Sequence, residues 1–149
     1  MKKFTIIMMK ERITKELKDA MRARDAMRTS VLRMLLAEIT HLEKSGKDFD
    51  CQDVIKGYAK KLKKAIEEYE RLQIRERVDS NLAELAIVEE FLPKQLSDEE
   101  LKKIIREIVE SEKLTHKDLG SAMRIIMGKY KDVADGKKVQ TLIKDILAN

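Results

Sequence analysis

The 149-residue chain contains one cysteine, one proline, five glycines and no tryptophan, and only 4% of its residues are aromatic. The single cysteine, Cys51, excludes an intrachain disulfide and a cysteine-rich zinc site, and it fits a reducing cytoplasm. Scarce glycine and proline argue against a β-sandwich or barrel, whereas 43% hydrophobic and 40% charged residues favour packed helices. We therefore predict an all-α, cytoplasmic protein.

Long hydrophobic runs are also missing. No stretch approaches the ~18 apolar residues that a transmembrane helix requires, so we expect no membrane partner. The apolar stretch that begins at Phe4 runs directly into Lys10 and has no small-residue cleavage site, which argues against a signal peptide. We expect residues 1–8 to be an extension, with Met8 or Met9 as the natural start.

The sequence contains none of the common catalytic motifs for zinc proteases, serine hydrolases, phosphate loops or dinucleotide binding. His41 and His116 are the only imidazoles, and we interpret Cys51 as a buried thiol rather than a nucleophile. The adjacent pairs Glu67/Glu68 and Glu89/Glu90 cannot face one another on a helix, so we interpret them as solvated surface. We predict no catalytic residue, no metal site and no cofactor.

Apolar residues recur at helical spacing through the first two thirds of the chain. We expect helices over about 9–23 and 26–44, with Asp25 as a start signal and Gly46 as a stop. A loop over 45–50 leads to a long helix capped by Asp50, which Asp79 and Ser80 interrupt before Pro93. The residues predicted to face this core are Ile13, Leu17, Ala20, Met21, Val31, Leu35, Ile39, Leu42, Ile55, Ala59, Leu62, Ile66, Tyr69, Leu82, Leu85, Ile87, Val88, Phe91 and Leu92.

Pro93 predicts a boundary, because the residue before a proline is pushed out of the helical region. Ser97 and Glu100 then have the spacing of a capping box, Thr115 and Asp118 repeat that spacing, and Asp135 is expected to cap the last helix. The expected inner faces comprise Leu101, Ile104, Ile105, Ile108, Leu119, Met123, Ile126, Met127, Tyr130, Val139, Leu142, Ile143 and Ile146. We predict an N-terminal domain, 1–95, built as a bundle of about four helices, and a small three-helix C-terminal domain, 96–149.

Positive charge is concentrated at the two ends of the chain. Residues 1–36 carry ten Lys/Arg and four Asp/Glu, a net +6, and residues 115–149 carry seven and four, a net +3. Between them, residues 37–96 carry eleven and thirteen, a net −2. This distribution permits a polyanionic partner. Four arginines, Arg22, Arg24, Arg28 and Arg33, surround the first helix–helix corner, whereas we interpret the run Lys60, Lys61, Lys63 and Lys64 as a solvated helix face paired with Glu67 and Glu68.

Five cations near the C-terminus are the candidate nucleic-acid-binding residues: Arg124, Lys129, Lys131, Lys137 and Lys138. Lys137 and Lys138 fall in the first turn after the expected Asp135 cap, where lysines oppose the helix dipole and where free N–H groups favour an anion. Gly120 and Gly128 lie in the preceding helical segment. We interpret Gly120 as a close-packing position and Gly128 as packing or a helix stop. The alternative for both is close approach by a nucleic-acid backbone.

Several segments together resemble the YqeY family over residues 10–147. They are 21–25 and 30–35, Glu89-Glu90-Phe91-Leu92-Pro93, Gly120 with Met123, and Ala134-Asp135-Gly136-Lys137. The same segments are similar to the C-terminal region of the B subunit of tRNA-dependent amidotransferases. There, the resemblance implies a helical domain and a tail domain that help to hold the tRNA elbow while other parts perform the chemistry. The chain departs from the family pattern at Asp132 and Val133, where relatives often have glycine and a basic residue.

Three functions remain open on these grounds. The first is a stand-alone module that binds tRNA or another structured RNA and has no catalytic activity. The second is a helical adaptor for a translation-related protein partner. The third, which family resemblance alone implies, is an accessory to an amidotransferase, a carbon–nitrogen ligase that uses glutamine as amido donor. The absence of a nucleophile and an ATP site argues against catalysis by the chain itself.

Overall fold

A computed structural model describes residues 2–148, and within them the chain forms seven α-helices and no strand. The all-α class predicted from the sequence is confirmed. The helices are α1 (Lys2–Arg22), α2 (Ala26–Lys44), α3 (Cys51–Arg71), α4 (Arg75–Glu89), α5 (Asp98–Ser111), α6 (Leu119–Tyr130) and α7 (Gly136–Ala148).

The chain divides into two compact units. The first ends at Leu92 and contains α1 to α4, and the second begins at Pro93 and contains α5 to α7. Each unit has its own cluster of buried aliphatic side chains. The division into independently folding domains 1–95 and 96–149 stays a prediction, and its terminal residues 1 and 149 lie outside the described part of the chain.

The first helix begins earlier than predicted. α1 starts at Lys2 rather than near Met9, and Ile6 is only 8% exposed. Ile6 lies seven residues before the buried Ile13, so two further helical turns keep it on the same face and in the same core. Most of the expected extension 1–8 is therefore part of α1. The predicted inward position of Met21 is wrong, because this side chain is 50% exposed.

The predicted bounds of α2 and the predicted start of α3 are confirmed by their caps. The Asp25 side chain accepts a hydrogen bond from the Arg28 N–H at 3.0 Å, and Asp50 accepts one from the Gln52 N–H at 2.9 Å. Gly46 follows α2 with φ 74°, the left-handed conformation that glycine adopts without a Cβ penalty. The seam predicted on α3 is buried at Ile55, Ala59, Leu62 and Ile66, and Tyr69 packs against it. Leu32, which the predicted core omitted, is fully buried on α2.

The interruption predicted at Asp79 and Ser80 is wrong, because both residues lie inside α4. The chain instead leaves α3 at Leu72 and turns at Gln73, whose φ is 59°. The Gln73 N–H donates to the Glu70 carbonyl at 3.1 Å, and the Ile74 N–H donates to the Tyr69 carbonyl at 2.9 Å. This pair of bonds is a Schellman motif formed without glycine. The register of α4 leaves Leu82 47% exposed, which contradicts its predicted core position.

The capping box at the start of the second unit is confirmed. Ser97 Oγ accepts from the Glu100 N–H at 3.2 Å, and a Glu100 carboxylate oxygen accepts from the Ser97 N–H at 2.8 Å. The second predicted box is wrong. Asp118 accepts from the Thr115 N–H at 2.7 Å, but this bond closes a turn before the helix, and α6 begins only at Leu119. The core of this unit is built on Leu101, Ile105, Ala122, Ile126, Ala134, Val139 and Ile143.

No helix in the described range 2–148 is long and apolar enough to cross a membrane.

Candidate nucleic-acid interface

The five predicted cations all lie on the exposed side of α6, α7 and the turn between them. Arg124 is in the middle of α6, Lys129 is in its last turn and Lys131 is its C-cap residue. Lys137 and Lys138 occupy the first turn of α7, which contains no acidic residue. All five side chains are exposed, and along the chain they extend from the middle of α6 to the first turn of α7.

The turn that joins the two helices is held in place by backbone bonds. The Val133 N–H donates to the Tyr130 carbonyl at 3.1 Å, and the Val133 carbonyl accepts from the Leu96 N–H at 2.8 Å. Gln95 Nε2 donates to the Asp132 carbonyl at 3.1 Å. The residues at which the chain departs from the YqeY pattern, Asp132 and Val133, thus anchor the turn through their carbonyls. The start of α7 is fixed by the same contacts.

Lys138 forms an ion pair within the second unit. Its Nζ lies 2.7 Å from Asp98 Oδ1 at the start of α5. The hydrogen bond from Lys138 lowers the pKa of the Asp98 carboxyl below its ordinary value. Lys138 therefore links α7 to α5, and its ammonium is less available to a ligand than sequence position alone suggested. Lys129 has a different contact, since its Nζ lies 5.6 Å from the centre of the Tyr130 ring.

Within residues 2–148, the remaining candidates Arg124, Lys131 and Lys137 form no ion pair with an acidic side chain. Lys131 at the C-terminus of α6 interacts favourably with the helix dipole. Lys137, at the N-terminus of α7, lies at the positive end of the dipole of that helix, so the dipole does not stabilise its charge. This half of the second unit also carries an excess of positive charge. Residues 119–148 carry six Lys/Arg and three Asp, a net +3.

Gly120 and Gly128 are not packing residues. Both are exposed, and a Cβ built on either would meet no atom within 4 Å. The packing interpretation of Gly120 is therefore wrong, and Gly128 is no helix stop because α6 continues to Tyr130. Residues 120, 124 and 128 are four apart, so they form one row on the surface of α6, with Arg124 between two positions that bear no side chain. Each glycine costs the helix up to ~1 kcal/mol relative to alanine.

The arginine cluster at the first helix corner has mainly structural contacts. Arg28 donates to Glu90 Oε2 at 2.6 Å and to Glu16 Oε2 at 3.0 Å, and its side chain is only 25% exposed. These bonds, the larger contribution coming from Glu90, raise the pKa of the Arg28 guanidinium. Glu90 is exposed, as predicted, and it also accepts this ion pair. Sequence spacing carried no signal for a pair that joins residues 62 positions apart.

Arg12 was missed by the sequence reasoning and completes the same cluster. Its guanidinium lies 4.4 Å from the centre of the Phe91 ring, and its Nη2 donates to the Glu90 carbonyl at 3.0 Å. The end of α4 is thereby attached to α1. Arg22 forms a longer, exposed pair with Asp19 at 3.6 Å, and Arg33 Nη2 lies 3.9 Å from Met21 Sδ.

The lysine run on α3 is exposed, as expected for a solvated helix face. Among the described residues these lysines form no ion pair with Glu67 or Glu68, so the predicted pairing is wrong, and Glu68 accepts instead from Arg71 at 2.5 Å. These lysines lie on the exposed face of a regular helix, away from its ends. They therefore serve as a control for the cations near α7 in binding experiments.

The described residues contain no group of three or more His, Cys, Asp or Glu side chains placed to hold a metal ion. Cys51 is 1% exposed, and burial raises the pKa of its thiol, as do the nearby Asp50 and Glu43 carboxylates. A raised pKa leaves the thiol protonated and weakly nucleophilic near neutral pH. The interpretation of Cys51 as a buried core residue is confirmed.

Comparison with known proteins identifies two similarities. The sequence profile of the family described as "Yqey-like protein" matches residues 10–147. An uncharacterized protein of Schizosaccharomyces pombe is 37% identical over 93 residues, which cover 58% of this chain and 73% of that protein. The profile match extends over both units.

Proposed function

This chain belongs to the YqeY family, and from that premise we propose that it is a non-catalytic RNA-binding module whose second unit contacts the phosphate backbone of tRNA or another structured RNA. The observation that carries the proposal is the exposed row Gly120, Arg124 and Gly128 on α6. No atom of the described chain explains either glycine by packing. A bare helix surface on both sides of an arginine allows a phosphate backbone to approach closely.

The neighbouring cations extend this row into a binding surface. Lys131 follows Arg124 along α6, and Lys137 lies at the start of α7, where the first-turn N–H groups favour an anion. Arginine, lysine and helix N-termini are the groups that most often contact phosphates. Such contacts position a nucleic acid without reading its sequence, so the proposal specifies phosphate recognition and no preferred base.

The first test measures binding of bulk tRNA to the full chain at two salt concentrations by fluorescence anisotropy. Phosphate contacts release counterions, so we expect affinity to fall steeply as salt rises. Lys131→Ala with Lys137→Ala should weaken binding and reduce the slope of log K against log salt by about one unit per lost contact. Lys138 is left unchanged because its loss would also break the pair with Asp98.

Lys60→Ala with Lys61→Ala is the matched control, since both lysines are exposed on α3. We expect this variant to bind like the wild type. Loss of binding in the α3 variant alone would place the site in the first unit. Absence of salt-dependent binding by the wild-type chain would instead favour the adaptor function.

The second test uses the glycines themselves. Gly120→Ala with Gly128→Ala should stabilise α6, by up to ~1 kcal/mol for each site, yet weaken tRNA binding. The control is Gly57→Ala, because Gly57 is also an exposed helical glycine with no atom within 4 Å of its built Cβ. The control should gain stability with unchanged binding. Equal tRNA affinity of the wild type, the double variant and the Gly57→Ala control would show that the glycines of α6 do not approach RNA.

The amidotransferase alternative is compatible with RNA binding but assigns the chemistry to other proteins. In the present proposal this chain contributes RNA binding alone. Glutamine hydrolysis or ATP-dependent amidation by the purified chain would contradict it.

A further inference from the structure

α2 is unusual for a helix at the surface of a highly charged chain. Only five of its 19 residues are Asp, Glu, Lys or Arg, against 40% in the whole sequence. Two of the five face α1, since Arg28 pairs with Glu16 and Glu43 pairs with Lys10 at 2.8 Å. The outward side of α2 is therefore left with Arg33 and Lys44, and with Glu38 toward one edge.

That outward side forms a shallow groove. Two open depressions of about 490 Å³ each meet at Arg33 and together follow α2 from one end to the other. We call this surface the α2 groove and define it by Ala26, Ser30, Arg33, Ala37, Thr40 and Lys44. The 19 residues of α2 extend over roughly 28 Å, which is the length of about five turns of a second helix.

One exposed methionine lines the same surface. Met21, near the end of α1, is 50% exposed and borders the half of the groove that contains Arg24 and Ser30. Methionine side chains are flexible and polarisable, and they are common on surfaces that bind amphipathic helices. Small residues in the groove would let a second helix approach closely.

We propose that the α2 groove binds an acidic amphipathic helix of a partner protein. The apolar side of the partner helix packs on the small residues and on Met21. Its carboxylates meet the cations along the groove, which are Arg24, Arg33 and Lys44. This inference goes beyond RNA binding and is independent of it, because the groove lies in the first unit and the RNA surface in the second.

Two other occupants fit the surface less well. A second copy of the chain would bring the same cations toward one another without an acidic counterpart in the groove. RNA recognition uses stacking on aromatic, histidine or arginine planes. The groove has Arg24, Arg33 and His41 but no Phe, Tyr or Trp, and six of its eleven lining residues are alanine, serine, threonine or leucine, which favours packing against a helix.

The test uses the full chain and a designed, fluorescein-labelled helical peptide of about 20 residues, with leucine and alanine on one face and glutamate on both flanks. A second peptide carries lysine in place of every glutamate. We expect saturable binding of the acidic peptide and at least tenfold weaker binding of the basic one. In the chain labelled with ¹³C at methionine methyls, Met21 should shift on binding, and Met123 and Met127 should not.

Ala37→Glu should weaken binding of the acidic peptide at least tenfold, because it places a carboxylate in the groove. Ala83→Glu is the matched control, since Ala83 is an exposed alanine on α4, and it should bind like the wild type. Equal binding of the two peptides, no saturable binding, or equal effects of the two substitutions would overturn the proposal. So would a concentration-dependent dimer abolished by Ala37→Glu, or tRNA binding lost in that variant. Failure of tRNA binding alone would leave this proposal standing.

Discussion

Arg28 connects three elements of the first unit through one guanidinium. It extends from the first turn of α2 to Glu16 on α1 and to Glu90 at the end of α4. An arginine can hold two carboxylates at once because its planar group presents five donors. Its partial burial reduces the screening that weakens fully exposed pairs. This contact is therefore expected to contribute more than an ordinary surface ion pair.

The prediction at this position is a loss of stability. Arg28→Ala should lower the free energy of unfolding by about 1–2 kcal/mol, between the effects of exposed and buried pairs. Arg22→Ala should lower it by about 0.5 kcal/mol or less, because exposed pairs contribute little. Urea unfolding followed by circular dichroism measures both. Equal unfolding midpoints for the two variants would show that the Arg28 pairs contribute no more than surface contacts.

Helix termination in this protein follows one pattern at three places where glycine is absent. α1, α3 and α5 are each followed, two residues after their last residue, by a residue of positive φ: Arg24 at 56°, Gln73 at 59° and Lys113 at 52°. In each case the next N–H donates to a carbonyl five residues earlier: Asp25 to Ala20, Ile74 to Tyr69 and Leu114 to Val109. α2 ends in a left-handed residue as well, but there the residue is Gly46.

The left-handed conformation is unfavourable for residues with a Cβ, so these three positions can be improved. Gln73→Gly should raise the free energy of unfolding by about 0.5–1 kcal/mol, since glycine adopts this φ without the steric cost. Gln52→Gly, inside the first turn of α3, is the control and should destabilise the protein. Chemical denaturation measures the free energy of unfolding of both variants and of the wild type. A destabilising effect of Gln73→Gly would mean that the glutamine side chain makes a contribution larger than its backbone strain.

The two units are joined without a helix across residues 93–97, and a second segment without regular structure precedes α3. Both segments contain trypsin sites, at Lys94 and Lys47, whereas α3 contains four in quick succession at Lys60, Lys61, Lys63 and Lys64. A folded helix resists proteolysis, because cleavage requires local unfolding.

Limited digestion with trypsin should therefore cut first at Lys47 or Lys94, and only later within α3. Mass spectrometry of an early time course identifies the first fragments. The fragment that begins after Lys94 should retain helical circular dichroism and unfold at a lower temperature than the full chain, because so small a core is marginally stable. Early cleavage within α3 would contradict the architecture.

The features that the sequence alone could predict are local ones. The caps at Asp25, Asp50 and Ser97 and the stop at Gly46 follow from bonds between residues two or three positions apart, or from the φ that glycine allows. The α3 seam follows from apolar spacing along a single helix. The choice of five candidate cations from Arg124 to Lys138 also rests on spacing within one segment, and their role in nucleic-acid binding stays a prediction.

The features that required the tertiary structure depend on distant partners or on their absence. The Arg28 pair joins residues 62 positions apart, so no periodicity reveals it. Lys138 reaches Asp98 only because α5 and α7 pack together. The break at Gln73 escaped prediction because a backbone motif formed it without glycine. Local patterns likewise cannot show that Gly120 faces solvent or that the outward side of α2 is uncovered, since exposure is decided by which elements pack on which faces.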